Sequence, residues 1–328
     1  MRQNGPMTLE NENVWSDAAR QVARAVRGRR SQLAFSRRLG FRSNVAADWE
    51  GGHRAPTAAL LLRGMERVGI DVAAGFRAFH AEAAPHLDEG LPAWLRALRG
   101  QARQQHLAQR AGCSRHQIRR WLSGEAEPRL PDFLRLVHAL TGRAPDWVAA
   151  LVDIEQVPAL AGAHSVARTA ARLAYDHPWA AAVRMLVNTE AYRADPTDAF
   201  LAEALGLSHE ELRDAVEALK AAGLVRRHRG SLQPVSSFTA EATASPDDRR
   251  RLKAHWAKVA TDRLRHPRAD DLVSLNLITL SRADLKRVHD LQRAYFRELR
   301  GLVAASAPEE VAALVMMHTV SLSPSVDP

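Results

Sequence analysis

The side chains best suited to chemistry in this sequence lie together in residues 102–128. The apolar pair Leu107 and Ala108 is followed by Gly112 and then by polar and cationic side chains of the types that contact phosphates and base edges. These side chains are Ser114, Arg115, His116, Gln117, Arg119 and Arg120. The stretch therefore predicts a helix-turn-helix whose second helix faces double-stranded DNA.

Two short helices must position these side chains. They are predicted over residues 103–111 and 114–122, with Ser114 as the N-cap of the second. Ile118 and Trp121 have the spacing of a buried helix face, which leaves the polar residues on the other faces. Three further helices are predicted around this pair, over residues 92–99, 131–140 and 145–152.

The same pattern occurs earlier in the chain at an ungapped offset of 72 residues. The matches fall on turn glycines, tryptophans and a loop proline, including Gly40 with Gly112, Trp49 with Trp121, Gly52 with Gly124 and Pro56 with Pro128. The sequence therefore predicts two copies of one small helical domain, over residues 15–80 and 91–152. Residues 80–91 contain Pro85 and Gly90, with Pro92 just beyond, and are predicted to be a linker.

The second copy resembles the lambda-repressor-like helix-turn-helix domains of the XRE family. The resemblance rests on Gln104, Leu107, Ala108, Gly112, Ser114, Ile118, Trp121, Gly124 and Pro128, followed by the apolar residues of the next helix. The equivalents in the first copy are Ser31, Gln32, Phe35, Ser36, Gly40, Trp49, Glu50, Gly52 and Pro56. The resemblance implies a recognition helix that enters the major groove.

The resemblance assigns DNA contacts unequally to the two copies. In the second, Gln104 would bond a phosphate or Gln117, Arg115, His116, Gln117 and Arg119 would reach base edges, and Arg120 and Arg129 would meet the backbone. In the first, Ala46, Ala47 and Asp48 replace the larger buried residue and two arginines, and an acidic group opposes phosphate binding. The first-copy residues that would still contact a groove are Gln32, Arg42, Ser43, Asn44 and Arg54.

The distribution of charge supports a nucleic-acid partner for the first half of the chain. The protein has 328 residues and a formal net charge of +9. Residues 15–75 and 91–150 each carry an excess of six basic residues, whereas residues 168–236 are neutral. A local excess of this kind is the electrostatic footprint expected of a DNA-binding surface, although the preference for Arg and Ala also fits a GC-rich coding bias.

The second half begins with a connector over residues 153–170 and continues into a predicted winged helix over residues 171–236. Helices over 179–189, 196–205 and 208–222 precede a strand pair around Arg229-Gly230. Arg226, Arg227 and Arg229 would lie on the wing. The third helix carries Glu210, Glu211, Asp214 and Glu217, and this acidic face favours packing or dimerisation over DNA contact.

Residues 249–328 are predicted to form a small α+β domain for dimerisation or effector sensing. A helix over 249–264 is followed by a strand over 272–280, a long helix capped by Ser281, and a closing strand over 311–322. The long helix has an apolar stripe that predicts a core or a dimer seam, Leu285, Val288, Leu291, Tyr295, Leu299 and Leu302.

A second resemblance covers residues 175–322. The motifs HPWAAAVRMLV, DAFLAEALGLSHEELRDAVEALKAAGLV, SLNLITLSRADLKRVHDLQRAYFRELRGLV and MMHTVSLSP are similar to the C-terminal domain of an uncharacterised bacterial transcriptional regulator family. The resemblance implies a regulator in which a helix-turn-helix precedes this domain. It implies no ligand.

Motifs for catalysis and for metal or cofactor binding are not found. The sequence has no Gly-rich phosphate loop, no G-x-S-x-G and no H-E-x-x-H, so we expect no enzyme, no cofactor and no metal site. His80, Glu82 and His86 are close in sequence but fall in the predicted linker. Cys113, the single cysteine, is interpreted as a small residue packed at the turn, with a redox switch as the alternative.

These observations predict a mainly helical, cytoplasmic, sequence-specific DNA-binding transcriptional regulator that acts as a homodimer. No secretory signal or membrane span is expected, and residues 1–14 are predicted to be disordered. A small-molecule or peptide effector is left open as a further partner. The alternative function is a protein-interaction scaffold whose helix-turn-helix copies no longer touch DNA.

Overall fold

The structure is a computed structural model, and it describes residues 12–100, 102–235, 246–306 and 308–322. These residues are mainly helical with one two-stranded sheet, which confirms the predicted mainly-α fold with a small α+β part. The chain divides into two compact units, the first built mainly from residues up to Arg172 and the second from most of the remainder.

The first unit contains the two copies of the helical pattern. The first copy comprises α1 (Glu12–Arg27), α2 (Gln32–Arg38), α3 (Val45–Gly51), α4 (Ala58–Arg67) and α5 (Val72–Phe79). After a 3-10 helix (Ala84–Glu89), the second comprises α6 (Leu91–Arg99), α7 (Gln104–Arg110), α8 (Arg115–Ser123), α9 (Leu130–Thr141) and α10 (Ala144–Ala149). A short 3-10 helix (Ile154–Gln156) and α11 (Pro158–Asp176) follow, so residues 153–170 are largely helical.

The repeat in the sequence is also a repeat in the structure. Helices α2 and α7 both span seven residues and begin 72 positions apart, and the starts of α4 and α9 and of α5 and α10 have the same spacing. Gly52 and Gly124 end the two equivalent helices α3 and α8 with left-handed backbones at φ 79° and 84°. A side chain at either position would strain this conformation, which explains the matched glycines.

A reciprocal pair of backbone hydrogen bonds joins the two copies. The amide of Ala58 donates to the carbonyl of Pro128 at 3.0 Å, and the amide of Leu130 donates to the carbonyl of Pro56 at 2.9 Å. Ala58 and Leu130 are 72 residues apart, as are Pro56 and Pro128. The loops after α3 and α8 therefore contact each other in the isologous manner of a two-fold symmetric dimer.

The two copies also share one continuous core. The Phe76 ring from α5 lies 4.6 Å from Trp94 of α6 and 5.8 Å from Trp147 of α10, measured between ring centroids. Trp15 of α1 lies 5.1 Å from His138 of α9. The ranges 15–80 and 91–152 thus correspond to two halves of one packed unit.

The segment over residues 80–91 differs from the predicted linker. It forms the 3-10 helix Ala84–Glu89, and Ala83 and Ala84 are buried in the shared core. Pro85 occupies the first turn of this helix, where its missing amide hydrogen leaves no helical bond unmade. The sequence pattern predicts a break at this proline, whereas in the structure Pro85 lies at the start of a helix.

The boundary at the N-terminus also differs from the sequence expectation. Helix α1 begins at Glu12, and Val14 is buried, so residues 12–14 belong to the first unit and not to a disordered tail. Residues 1–11, most of the predicted polar linker over 236–248, and residues 323–328 lie outside the described part of the chain.

The second unit contains the predicted helices and hairpin. Its elements are α12 (Pro178–Val187), α13 (Glu190–Ala194), α14 (Asp198–Leu205), α15 (His209–Ala221), β1 (Val225–His228), β2 (Ser231–Pro234), α16 (Pro246–Arg263) and α17 (Arg282–Ala305). Between β1 and β2, Arg229 and Gly230 both have positive φ, at 49° and 87°, as a two-residue type I′ turn requires. The amide of Leu232 donates to the buried Tyr192 hydroxyl at 2.9 Å, which fixes β2.

The strand pair predicted over residues 272–280 and 311–322 is not formed. Both segments lack helix or strand structure, and their side chains are mostly exposed. Alternation of apolar residues stabilises a strand only when one face is buried and a partner strand is present. Neither condition is met within the described chain. By contrast, α17 begins as predicted, with the Ser281 hydroxyl accepting from the amide of Asp284 at 3.1 Å.

Candidate nucleic-acid interface

Helix α8 is fixed in place by its buried apolar side and by a capping box at its N-terminus, and its other side is exposed and polar. Ile118, Trp121 and Leu122 are buried in the core of the first unit. At the N-terminus, the Ser114 hydroxyl accepts from the amide of Gln117 at 3.1 Å, and the Gln117 carbonyl oxygen Oε1 accepts from the amide of Ser114 at 3.0 Å. This capping box satisfies amides that the first helical turn leaves unpaired.

The predicted contact residues of α8 lie together on the surface. The exposed set comprises Ser114, Arg115, His116, Gln117, Arg119 and Arg120. The set carries three arginines on a helix of nine residues that has no acidic residue. Such a surface favours a polyanion, and the arginine fork also matches the acceptors of guanine.

Arg119 forms a weak intramolecular ion pair. Its Nη2 lies 3.5 Å from Oε2 of Glu125, and both side chains are about half exposed. Exposed ion pairs stabilise a fold by roughly 0–1 kcal/mol, so a phosphate or a base would displace Glu125 at little energetic expense. Glu125 was not singled out from the sequence, because it lies in the loop beyond the helix.

The two glutamines have more restricted positions than the arginines. The Oε1 atom of Gln117 is engaged by both the amide and the hydroxyl of Ser114, so its role is at least partly to cap the helix. Gln104 is half-buried at the first position of α7. A bond between Gln104 and Gln117 is not among those found in the described residues, and a phosphate contact remains the expectation for Gln104.

Arg129 lies at the junction of the two copies rather than on α8. Its Nη1 donates to the carbonyl of Ala55 in the first copy at 2.8 Å, and its backbone is bridged to Thr57. This position gives Arg129 a structural role that its sequence position did not indicate, because the partner lies 74 residues earlier in the chain. A backbone phosphate contact would have to be made alongside this bond.

Arg96 is a further residue that the sequence reasoning did not assign to the site. Its Nη1 donates to the carbonyl of Leu122 at 2.6 Å and thereby satisfies a terminal carbonyl of α8. The repeat contained a signal for this role, since Arg96 matches Arg24 at the 72-residue offset.

The equivalent helix of the first copy has a less basic surface. Ala46 is buried at the position of Ile118, while Ala47 and Asp48 are half-buried at the positions of Arg119 and Arg120. Helix α3 also lacks a side-chain hydrogen bond at its N-cap, Asn44. The first copy therefore presents neither the charge nor the capping of α8.

Gln32 is tied into an ion-pair cluster beside α3. Its Nε2 donates to Oε2 of Glu50 at 3.0 Å, and Arg27 contacts both oxygens of the same carboxylate, through Nε at 2.5 Å and Nη2 at 3.1 Å. Burial acts to raise the pKa of Glu50, but hydrogen bonds from Arg27 and Gln32 outweigh it and hold the pKa below its usual range. The side-chain amide of Gln32 is therefore already bonded to Glu50, whereas its equivalent in the second copy, Gln104, is predicted to contact a phosphate.

The other four first-copy candidates are exposed. Arg42, Ser43 and Asn44 occupy the turn between α2 and α3, and Arg54 follows α3, with its amide bonded to the carbonyl of Asp48 at 3.2 Å. The Ser36 hydroxyl lies 3.4 Å from Oδ1 of Asn44. These residues form a surface beside α3 whose contact with DNA remains a prediction.

The second unit contains another pair of helices followed by a hairpin, and the exposed face of its second helix is acidic. Helix α15 exposes Glu210, Glu211, Asp214 and Glu217. Arg226 and Arg227 lie on β1 and Arg229 lies in the turn, but Arg227 is paired with Asp198 at 2.9 Å. The acidic face predicted from the sequence is therefore present on the surface.

Cys113 lies partly buried against the core at the turn before α8. Burial raises the pKa of its thiol, Asp132 adds to this effect, and Arg135 opposes it. A raised pKa disfavours the reactive thiolate, which agrees with the packing interpretation rather than with a redox switch. Across the described residues, no group of three or more His, Cys, Asp or Glu side chains is arranged to hold a metal ion.

Comparison with protein families gives two partial matches. A model described as a helix-turn-helix domain matches residues 93–154, which contain α7 and α8. A model described as a domain of unknown function, DUF4423, matches residues 164–317. No curated protein and no solved structure matches the chain.

The helix-turn-helix match indicates DNA binding and transcription regulation. It covers the copy whose exposed helix is basic. In the described part of the chain, no helix is both long and apolar enough to cross a membrane.

Proposed function

We propose that the chain is a sequence-specific, DNA-binding transcriptional regulator of the XRE type, in which α8 is the main recognition helix. The observation that carries the proposal is the exposed cationic face of α8 on a buried Ile118–Trp121–Leu122 support, within the region of the helix-turn-helix match. Arg115, His116 and Arg119 would contact base edges, and Arg120 would contact the backbone.

The reciprocal junction supports a two-part contact with DNA. The first unit contains two equivalent helix pairs joined by the Ala58–Pro128 and Leu130–Pro56 bonds, as in an isologous dimer. Such an arrangement would place the two copies on successive major-groove faces, about 34 Å apart. Because the surface of α3 is less basic than that of α8, the first copy would chiefly position the second. The bound DNA site would then be asymmetric and longer than one half-site.

For the second unit, we propose a winged helix over residues 171–236 that acts in packing or dimerisation. The order α14, α15, β1 and β2 matches this arrangement, and the exposed carboxylates of α15 argue against a phosphate contact. The C-terminal part, residues 249–328, would serve dimerisation or effector sensing.

The test begins with selection of bound sequences from random double-stranded DNA, followed by anisotropy titrations on the selected site. Arg119→Ala and Arg115→Ala should each weaken specific binding by roughly 1–3 kcal/mol, or about 5–150-fold, and relax base preference at one position. Arg213→Ala is the matched control, because Arg213 is also an exposed helical arginine but lies on the acidic helix α15.

The scaffold alternative predicts a different result in the same titrations. The paired state of Gln32 and the acidic residues Asp48 and Glu210 favour it for the first copy and the second unit. Failure to enrich any sequence, or equal affinities for wild type and both α8 variants, would overturn the proposal in favour of a scaffold.

A further inference from the structure

The described residues of the C-terminal third have no core of their own. Among all the residues that the structure describes, the most C-terminal buried hydrophobic residue is Leu232, and none of the described side chains from Asp247 to Leu322 is buried. By contrast, the first half of the second unit buries Val183, Leu201 and Leu219 completely or nearly so. A folded domain needs a buried apolar core, so this region requires apolar surface from elsewhere.

Exposed apolar side chains concentrate in this same region. Of the twenty large hydrophobic residues that are exposed in the described chain, seventeen lie between Leu264 and Leu322. The extremes include Leu272 at 93%, Leu275 at 82% and Leu322 at 84% exposure. A surface this apolar over so short a stretch is typical of an interface and not of a free monomer surface.

Two irregular segments and one helix supply these exposed apolar side chains. Residues 272–280 and 311–322 are two segments without helix or strand structure, and α17 is amphipathic. The predicted stripe of α17 is half-buried at Leu285 and Leu299 but exposed at Leu291 and Leu302. The stripe is therefore not part of a core within one chain.

Local contacts hold the second segment along α17. The Gln292 Nε2 donates to the carbonyl of Met317 at 2.9 Å, and the Thr319 hydroxyl lies 3.2 Å from Gln292 Oε1. Just before the segment, the amide of Glu190 donates to the carbonyl of Glu309 at 2.9 Å. These bonds place the segment while leaving Met317, Val320 and Leu322 exposed.

We infer that residues 272–280, residues 311–322 and the apolar stripe of α17 form the homodimer interface, occupied by a second copy of this chain. The segment over 272–280 of one copy forms a β-ladder with residues 311–322 of its partner. The apolar stripes of the two α17 helices pack against the two ladders and complete a shared core. This inference concerns self-association and stands independently of DNA binding.

Three properties of the two segments favour a second copy over another occupant. Neither segment contains Asp, Glu, Lys or Arg, so two copies meet without like-charge repulsion and without the charges that usually block edge-to-edge pairing. Each copy supplies one segment of each kind, so a two-fold symmetric pair of copies forms two identical ladders and leaves neither segment unpaired. The segments contain twenty-one residues, and a stable interface takes about 20–30 residues from each side.

The region also has the composition of an obligate interface. Obligate interfaces resemble a hydrophobic core divided between two chains. Here a helix stripe and two alternating segments supply one half of such a core, and the identical half of another copy completes it. A transient partner would leave Leu272, Leu275 and Leu277 in water for much of the protein's lifetime.

The experiment measures the mass of the full chain by sedimentation equilibrium from about 0.1 to 50 µM. The wild type is expected at the mass of two chains of 36.2 kDa each. The double variant Leu275→Asp/Leu277→Asp should raise the dimer dissociation constant at least about thirtyfold, because it places carboxylates in the ladder. Both sites are exposed within one chain, so the circular-dichroism helix content of the first unit should persist.

Val166→Asp is the matched control. Val166 is 37% exposed on α11, in the connector before the proposed winged helix and outside the proposed interface, so this variant should dimerise like the wild type. A monomeric wild type at 50 µM, or unchanged dimerisation of the double variant, would overturn the inference.

Hydrogen exchange tests the ladder itself. Amides of residues 272–280 should be protected at least about tenfold in the dimer and should lose this protection on dilution below the dissociation constant. A dimer in which the amides of residues 272–280 stay unprotected would overturn the proposed pairing of strands between the two copies. Protection that appears only after addition of lipid vesicles or another protein would assign the surface to that partner instead.

Discussion

Helices α3 and α8 occupy equivalent positions 72 residues apart, but their exposed faces differ in charge. Both begin after a turn glycine, bury a tryptophan and end at a left-handed glycine. Only α8 combines a capping box with a face of arginines, whereas Asp48 replaces an arginine on α3. The shared residues maintain the helix-turn-helix, and the differing residues determine the charge of its outer face, which is the property that phosphate binding depends on.

The comparison extends to the core between the two copies. Gly75 of α5 and Trp147 of α10 stand at equivalent positions, one without a side chain and the other with the largest. Trp147 packs against Phe76 and Phe133, with centroids 5.8 and 5.0 Å apart. A side chain at Gly75 would instead meet Ala150 and Leu151 of the second copy, so the glycine allows the two copies to approach closely at this point.

One of the two largest expected effects comes from adding a side chain at Gly75, where the two copies meet. A Cβ atom there would lie 2.9 Å from the carbonyl oxygen of Ala150 and closer still to the Leu151 side chain. Because a backbone atom cannot move aside easily, Gly75→Ala should lower the free energy of unfolding by about 2–3 kcal/mol. Urea denaturation followed by tryptophan fluorescence measures the loss.

Gly162→Ala is the matched control for this substitution. Gly162 lies in α11 with no neighbouring atom within 4 Å of a new Cβ, so alanine should leave stability unchanged or raise it by up to about 1 kcal/mol. Equal effects of the two substitutions would show that the copies do not approach each other closely at Gly75.

A pH effect of similar size should arise where α9 of the second copy meets α1 of the first. Burial, and to a lesser degree the charge of Arg110, lower the pKa of His138 from 6.5 to about 4. The unfolded chain therefore binds a proton between these values that the folded chain does not, and stability falls as the pH drops from about 6.5 to 4. The shift corresponds to roughly 3 kcal/mol.

His138→Phe should remove this pH dependence. Phenylalanine keeps a ring beside Trp15, and the substitution changes no carboxylate. The difference in unfolding free energy between wild type and variant, measured from pH 7 to pH 4, isolates His138. A constant difference across that range would contradict the burial of this histidine. Its equivalent in the first copy, Glu66, is exposed.

Local sequence signals predicted the helix pairs because their determinants lie within a few residues. The Ser114 cap, the spacing of Ile118 and Trp121 and the stop at Gly124 all act within one helix. The Ser281 cap and the Arg229-Gly230 turn were recognisable for the same reason. Each of these signals is satisfied by bonds between residues at most four positions apart.

Long-range contacts account for what the sequence did not indicate. Arg129 is bonded to Ala55, and Gln32 is bonded to Glu50, so side chains assigned to DNA have partners that only the fold brings near. The segments over 272–280 and 311–322 alternate like strands but form no ladder with any residue that the structure describes, because alternation specifies a face and not the partner that covers it. Pro85 shows that a proline marks a helix start as readily as a break.

The smallest expected effect comes from giving α3 part of the charge of α8. Asp48→Arg places an arginine at the position equivalent to Arg120 and removes a carboxylate. If the first copy lies along DNA, the variant should bind the selected site about three- to tenfold more tightly. The slope of log affinity against log salt concentration should steepen by about one, because one more phosphate contact releases one more counterion.

Glu66→Arg separates a local contact from a general gain of charge. Glu66 is exposed on α4, outside α3 and its flanking turns, and its replacement changes the net charge by the same amount. A larger gain in affinity for Asp48→Arg than for Glu66→Arg would place α3 against the phosphates. Equal small gains would mean that α3 faces away from DNA, and the first copy would then contribute to binding only through the reciprocal loop contact that holds the second copy in position.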